Sequence, residues 1–83
     1  MAVKVLYFAW LRERIGEASE VVETNAKTVA ELVEDLRDRG EEYELAFADV
    51  SAIRAAVDQD LVEFDADISG AGEVAFFPPM TGG

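Results

Sequence analysis

The chain has 83 residues, 18 acidic against 7 basic side chains, a net charge of −11, and neither His nor Cys. At this length it forms one domain with one thin core, burying roughly 60–65% of the surface its unfolded chain exposes. The missing Cys exclude disulfides, iron–sulfur clusters, thiolate zinc sites and Cys nucleophiles, and the missing His removes the commonest general base and metal ligand near neutral pH.

The charge repels phosphate backbones, which argues against nucleic acid as a partner. It favours steered encounter with a basic protein, although solubility or a salty habitat accounts for it equally well. No apolar stretch is long enough to span a bilayer, and no basic-then-apolar leader opens the sequence. The expected location is cytoplasmic, with no membrane association.

Ala2 to Trp10 (AVKVLYFAW) is apolar, β-branched and aromatic, and reads as a central strand. Alternation puts Lys4, Leu6, Phe8 and Trp10 on one face and Val3, Val5, Tyr7 and Ala9 on the other. The lysine prefers water, so the second set is expected in the core. Leu11 to Gly16 is a connector, read as one helical turn ended by Gly16, and Glu20 to Thr24 is a second strand paired with the first.

The strongest local signal is a helix from Val29 to Arg39. Thr28 and Glu31 form a capping box, and Val29, Leu32, Val33 and Leu36 follow as one apolar stripe. Arg37 and Arg39 suit the last turn, and Gly40 offers a left-handed cap. Glu41 to Asp49 is a loop or short helix, with Tyr43, Leu45 and Phe47 as core plugs. Ile53 to Val57 is a strand, Asp58 to Asp60 a turn, and Leu61 to Phe64 a short return strand. Asp65 to Gly72 loops around Ile68. Glu73 to Phe77 is the last strand, halted by Pro78 and Pro79, which have no backbone N–H.

This order predicts an α+β domain with one main helix on one face of a small mixed sheet. The last strand returns parallel to the first at the sheet centre, which is the β-grasp architecture. Residues 1–83 form the single domain, with 78–83 as a protruding tail. Across the two central strands, Leu6, Phe8, Ala75 and Phe77 are expected to share an apolar outer face. Phe8 and Phe77 would be its aromatic anchors and Leu61 a neighbour, while Phe76 belongs to the core.

Internal chemistry is sparse. Acidic pairs such as Glu41/Glu42 and Asp58/Asp60 lack the loop pattern of a Ca²⁺ site, so no metal is expected. Ser19, Ser51 and Ser69 have no His to activate them, and Gly70-Ala71-Gly72 lacks the Lys and helix of a phosphate loop. The ending is different. After the stiff diproline come Met80, Thr81, Gly82 and Gly83. Six residues from Pro78 reach about 20 Å when extended. Two residues without side chains can thread a slot closed to any other. What reacts there is the α-carboxylate of Gly83, a poor acyl donor until a partner activates it.

These residues carry a resemblance. Val5-Leu6-Tyr7-Phe8-Ala9, Ala56-Val57-Asp58-Gln59-Asp60-Leu61-Val62 and Gly72-Glu73-Val74-Ala75-Phe76-Phe77-Pro78-Pro79-Met80-Thr81-Gly82-Gly83 together resemble the small subunits of molybdopterin synthases, within the ubiquitin-like sulfur carriers. The departures are Asp58, where the family more often has Asn, and Gly70-Ala71-Gly72-Glu73, where an Asp-Gly-Asp-Glu turn is frequent. The resemblance implies that an E1-like adenylating enzyme spends ATP on Gly83 and that a sulfur source then makes a thiocarboxylate. The chain itself would bind no cofactor. Met80, Thr81 and Gly82 would thread the large subunit's active site, where sulfur passes to cyclic pyranopterin monophosphate. Phe8, Leu61, Phe77, Pro78 and Pro79 would bind that partner, in a heterotetramer of two small and two large subunits. Alternatives with the same tail are a sulfur carrier for thiamine or tRNA thiolation, and a protein modifier joined through Gly83.

Overall fold

The computed structural model describes residues 1–79. The elements run β1 (Ala2–Tyr7), α1 (Ala9–Ile15), β2 (Ser19–Glu23), α2 (Val29–Arg37), α3 (Glu41–Ala46), a 3-10 turn (Val50–Ala52), β3 (Arg54–Val57), β4 (Asp60–Val62) and β5 (Glu73–Phe77). The five strands form one sheet in the order β2-β1-β5-β3-β4. Strands β1 and β5 are parallel at its centre and the other pairs antiparallel. This is the β-grasp arrangement expected from the element order.

The helices cover one face only. Val3, Val5 and Tyr7 of β1, Val22 of β2, Ala55 of β3 and Val74 and Phe76 of β5 are buried against Val29, Leu32, Val33 and Leu36 of α2. Phe76 meets Phe47 edge-on, with ring centroids 5.1 Å apart. The capping box forms in shifted register. Thr28 Oγ1 accepts from the Glu31 N–H at 3.2 Å, but the Glu31 carboxylate accepts from the Lys27 N–H, one residue before the cap. The carbonyls of Phe64 and Ala66 accept from the N–H groups of Ala30 and Val29, closing the helix start. Those carbonyls are thereby taken from the sheet, which is why β4 stops at Val62 and not at Phe64.

Several boundaries differ from expectation. Strand β1 ends at Tyr7 because the chain leaves the sheet at Phe8, which caps α1, and Ala9 turns it with φ +55°. Ala9 and Trp10 are therefore helical and carry no strand parity, and Ala9 is exposed. The connector is a two-turn helix whose Leu11 and Ile15 are buried, and Gly16 closes it at φ +90°. Helix α2 ends at Arg37, two residues early. Gly40 is extended (φ 161°, ψ 171°) and caps the start of α3, so it supplies no left-handed turn. Helix α3 also explains the fate of the three plugs. Residues i and i+4 share a helical face, so Tyr43 and Phe47 are buried, while Leu45 at i+2 is 57% exposed.

Candidate docking surface and tail exit

Opposite the helices, the sheet presents a face that the described residues leave open. Strand register builds it row by row. Leu6 of β1 pairs with Ala75 of β5, Ala75 with Ala56 of β3, and Ala56 with Leu61 of β4. Cross-strand partners point the same way, so these four residues form one apolar row. Beside it lie Phe8, Phe77 and, paired with Phe77, Arg54. On the other side stand Lys4 and its partner Glu73. Leu6, Phe8, Ala56, Ala75, Phe77 and Pro78 line a shallow groove of about 700 Å³, edged by Gln59 and Glu73.

Exposure separates the two faces of β5. Val74 and Phe76 are fully buried, whereas Phe77 is half-buried with no helix above it. Phe8 is 49% exposed and Leu61 70% exposed. The predicted outer face of Leu6, Phe8, Ala75 and Phe77 is therefore present, with Ala75 small enough for its neighbours to close over it. Leu61 joins the row at its far end, beyond the groove. Pro78 lines the groove and Pro79 follows, so the chain leaves the sheet beside the apolar patch. Met80, Thr81, Gly82 and Gly83 lie outside the described residues.

The rim is held by polar contacts that sequence patterns did not reveal. Asp58 and Gln59 both take positive φ (48° and 76°), the two-residue hairpin geometry that lets β3 return as β4. The Asp58 carboxylate accepts from the backbone N–H groups of Gly72 (3.1 Å) and Glu73 (3.0 Å), clamping the hairpin to the start of β5. Asn presents the same side-chain oxygen, so the departure at this position preserves the clamp.

At the other end of the sheet, Tyr7 and Tyr43 each donate a hydroxyl to Glu20 Oε2 at 2.8 Å, and Arg39 donates to Oε1 at 2.9 Å. Burial, reinforced by the Glu20 carboxylate, pushes both phenols above their ordinary values. Tyr7 is thus pinned immediately before Phe8. The four residues of this cluster come from β1, β2, the α2–α3 link and α3, which is why no local pattern announced it.

Among the described residues no three acidic side chains gather as metal ligands would, and no helix is long and apolar enough to cross a membrane. The architecture offers a sheet face and an exit point for a chain end. The ThiS family pattern matches residues 5–83, nearly the full length. This chain belongs to the ThiS family. Among its curated relatives, the molybdopterin synthase sulfur carrier subunit of Escherichia coli is 41% identical over 81 residues, covering 98% of this chain and 99% of that protein. The subunit of the same name from Haemophilus influenzae is 33% identical over the same share of each. In structure, this ThiS-family chain superposes on SAMP1 from Haloferax volcanii with a TM-score of 0.75 at 19% identity, covering both chains completely. That likeness is one of ubiquitin-like fold.

Proposed function

We propose that this ThiS-family protein is the sulfur-carrying small subunit of a molybdopterin synthase, and that the α-carboxylate of Gly83 is its reactive group. The observation that carries the reading is the family match running through residue 83, together with relatives of that name aligned over essentially their whole length. The exit of the chain beside an apolar groove fits it: the groove seats a partner while the tail reaches inside.

The chemistry follows from the carboxylate. Ionised at neutral pH, with an unperturbed pKa of about 3.3–3.7, it resists nucleophilic attack. In the partner adenylating enzyme, a carboxylate oxygen attacks the α-phosphorus of ATP and pyrophosphate leaves. A persulfide sulfur of the donor then attacks the acyl carbon of the mixed anhydride and displaces AMP. A second thiolate attacks the donor's sulfur in the resulting acyl disulfide, releasing the thiocarboxylate and leaving the donor as a disulfide. The thiocarboxylate sulfur is a soft nucleophile at neutral pH. It attacks a carbon of the pterin substrate in the large subunit, forming a C–S bond as a C–O bond of that carbon breaks and its oxygen leaves. Hydrolysis of the resulting thioester link releases the Gly83 carboxylate for another round. This chain supplies position, reach and the carboxylate. Met80, Thr81 and Gly82 would thread the large subunit's slot, and Phe8, Leu61, Phe77, Pro78 and Pro79 would contact that subunit in a heterotetramer in the cytoplasm. ATP stays with the activating enzyme.

Mass spectrometry of the protein isolated with its activating system tests the reading. The expected product is heavier by one sulfur-for-oxygen exchange, located on the C-terminal peptide. Sulfur on an internal side chain would overturn it, and Gly83-linked lysines on other proteins would move the assignment to a protein modifier.

A further inference from the structure

Among the described residues, the cation beside the docking groove pairs with no carboxylate. Arg54 stands on the outer face of β3, in register with Phe77 and exposed. Its guanidinium donates to the carbonyl of its own neighbour Ile53 at 3.3 Å, and none of the ion pairs among the described residues includes it. Glu63 shares a shallow hollow with it but does not pair with it. Lys4, Arg12, Arg14 and Lys27 are likewise outside those ion pairs, and Arg54 differs from them in its place, in register with Phe77 where the chain reaches Pro78. The other basic residue on the same face, Lys4, lies across the apolar row and is in register with Glu73. A positive charge therefore stands beside the point where the chain reaches Pro78, on a chain that is acidic overall.

We propose that Arg54 is a specificity residue of the docking surface, meeting a carboxylate on the rim of the protein that seats in the groove. The inference rests on the sulfur-carrier reading and describes the partner it requires, the large synthase subunit. That partner presents an apolar patch to the row Leu6–Ala75–Ala56–Leu61 and an acidic side chain opposite Arg54. It can be basic elsewhere, where it faces the acidic remainder of this chain. A uniformly basic surface would be repelled at Arg54, and like charges brought together across an interface oppose the wrong partner or register. Arginine suits the task because its planar fork of donors matches a carboxylate with two parallel hydrogen bonds, and little of that fork is used inside this chain. Position gives the pair its purpose: it lies in the row of Phe77, one residue before Pro78, so it would align the partner's slot with the emerging tail.

The test is titration of the full-length chain into the molybdopterin synthase large subunit of its own organism, at low and high salt. Arg54→Glu should weaken binding about 10-fold or more at low salt, with the difference shrinking at high salt. Arg54→Lys should keep most of the affinity, and Arg54→Met, which retains the stem but not the charge, should fall between them. Thermal melts should be little changed, since the side chain is exposed. Binding of Arg54→Glu as tight as the parent's, or tighter, overturns the assignment alone. Failure of the parent chain to bind the large subunit overturns the sulfur-carrier reading, and the assignment with it.

Discussion

Phe76 and Phe77 are neighbours on one strand, yet they belong to different parts of the molecule's life. Phe76 is fully buried against Phe47 and Phe64, under the helical layer. Phe77 points the other way, half-buried on an apolar face that no element among the described residues covers. A strand places successive side chains on opposite faces, so a single residue step separates folding from docking. The lesson is that hydrophobicity alone does not say which task a residue serves. On the inner face apolar area is removed from water when the chain folds; on the outer face it stays available for a second protein.

The largest expected effect lies beyond both faces. Deleting Gly83, or adding one residue after it, should abolish molybdopterin formation while leaving the melting temperature unchanged; normal activity would sever the tail from the docking face. Phe76→Ala comes next, with a loss of about 3–5 kcal/mol of stability, typical of emptying a buried phenylalanine site. Denaturant titration should show Phe77→Ala losing under about 1 kcal/mol, because its side chain is only partly removed from water. Calorimetry should show the reverse for binding, with Phe77→Ala weakening the large-subunit complex about 10-fold. If Phe77→Ala unfolds the domain and Phe76→Ala spares it, the assignment of the two faces is inverted.

Smaller effects test the edges of the two faces. The Tyr7 and Tyr43 phenols titrate above 10.0 in the folded protein, their ordinary unfolded value. The folded state thus keeps protons that the unfolded state releases, and stability should be fully present below pH 10 and fall as pH rises beyond it. Thermal melts across that range should show the decline, blunted in Tyr7→Phe. Asp58→Ala removes the acceptor of two backbone N–H groups and should cost about 1–2 kcal/mol. Asp58→Asn keeps that acceptor and tolerates positive φ, so its melt should stay within about 0.5 kcal/mol of the parent.

Local chemistry determined much of this in advance. The apolar stripe of α2 and its Thr28 cap, the parity of Val3, Val5 and Tyr7, and the prolines ending β5 each depend on neighbours within a few residues. For that reason they were legible in the sequence, as was the outer set Leu6, Phe8, Ala75 and Phe77 once the two strands were taken as adjacent. The family pattern at the tail was equally legible, although the tail's own conformation lies outside the described residues. What only the tertiary structure decided involves distant partners. The turn at Ala9 converts an expected strand end into α1, because Leu11 and Ile15 gain a core to enter. Gly40 became extended because α3 follows α2 at once. The joining of Ala56 to the groove, the meeting of Tyr7, Tyr43 and Arg39 at Glu20, and the separation of Arg54 from the carboxylates of the described residues depend on strand register and long-range packing. Those are set by the fit of the whole core, which no short window of sequence contains.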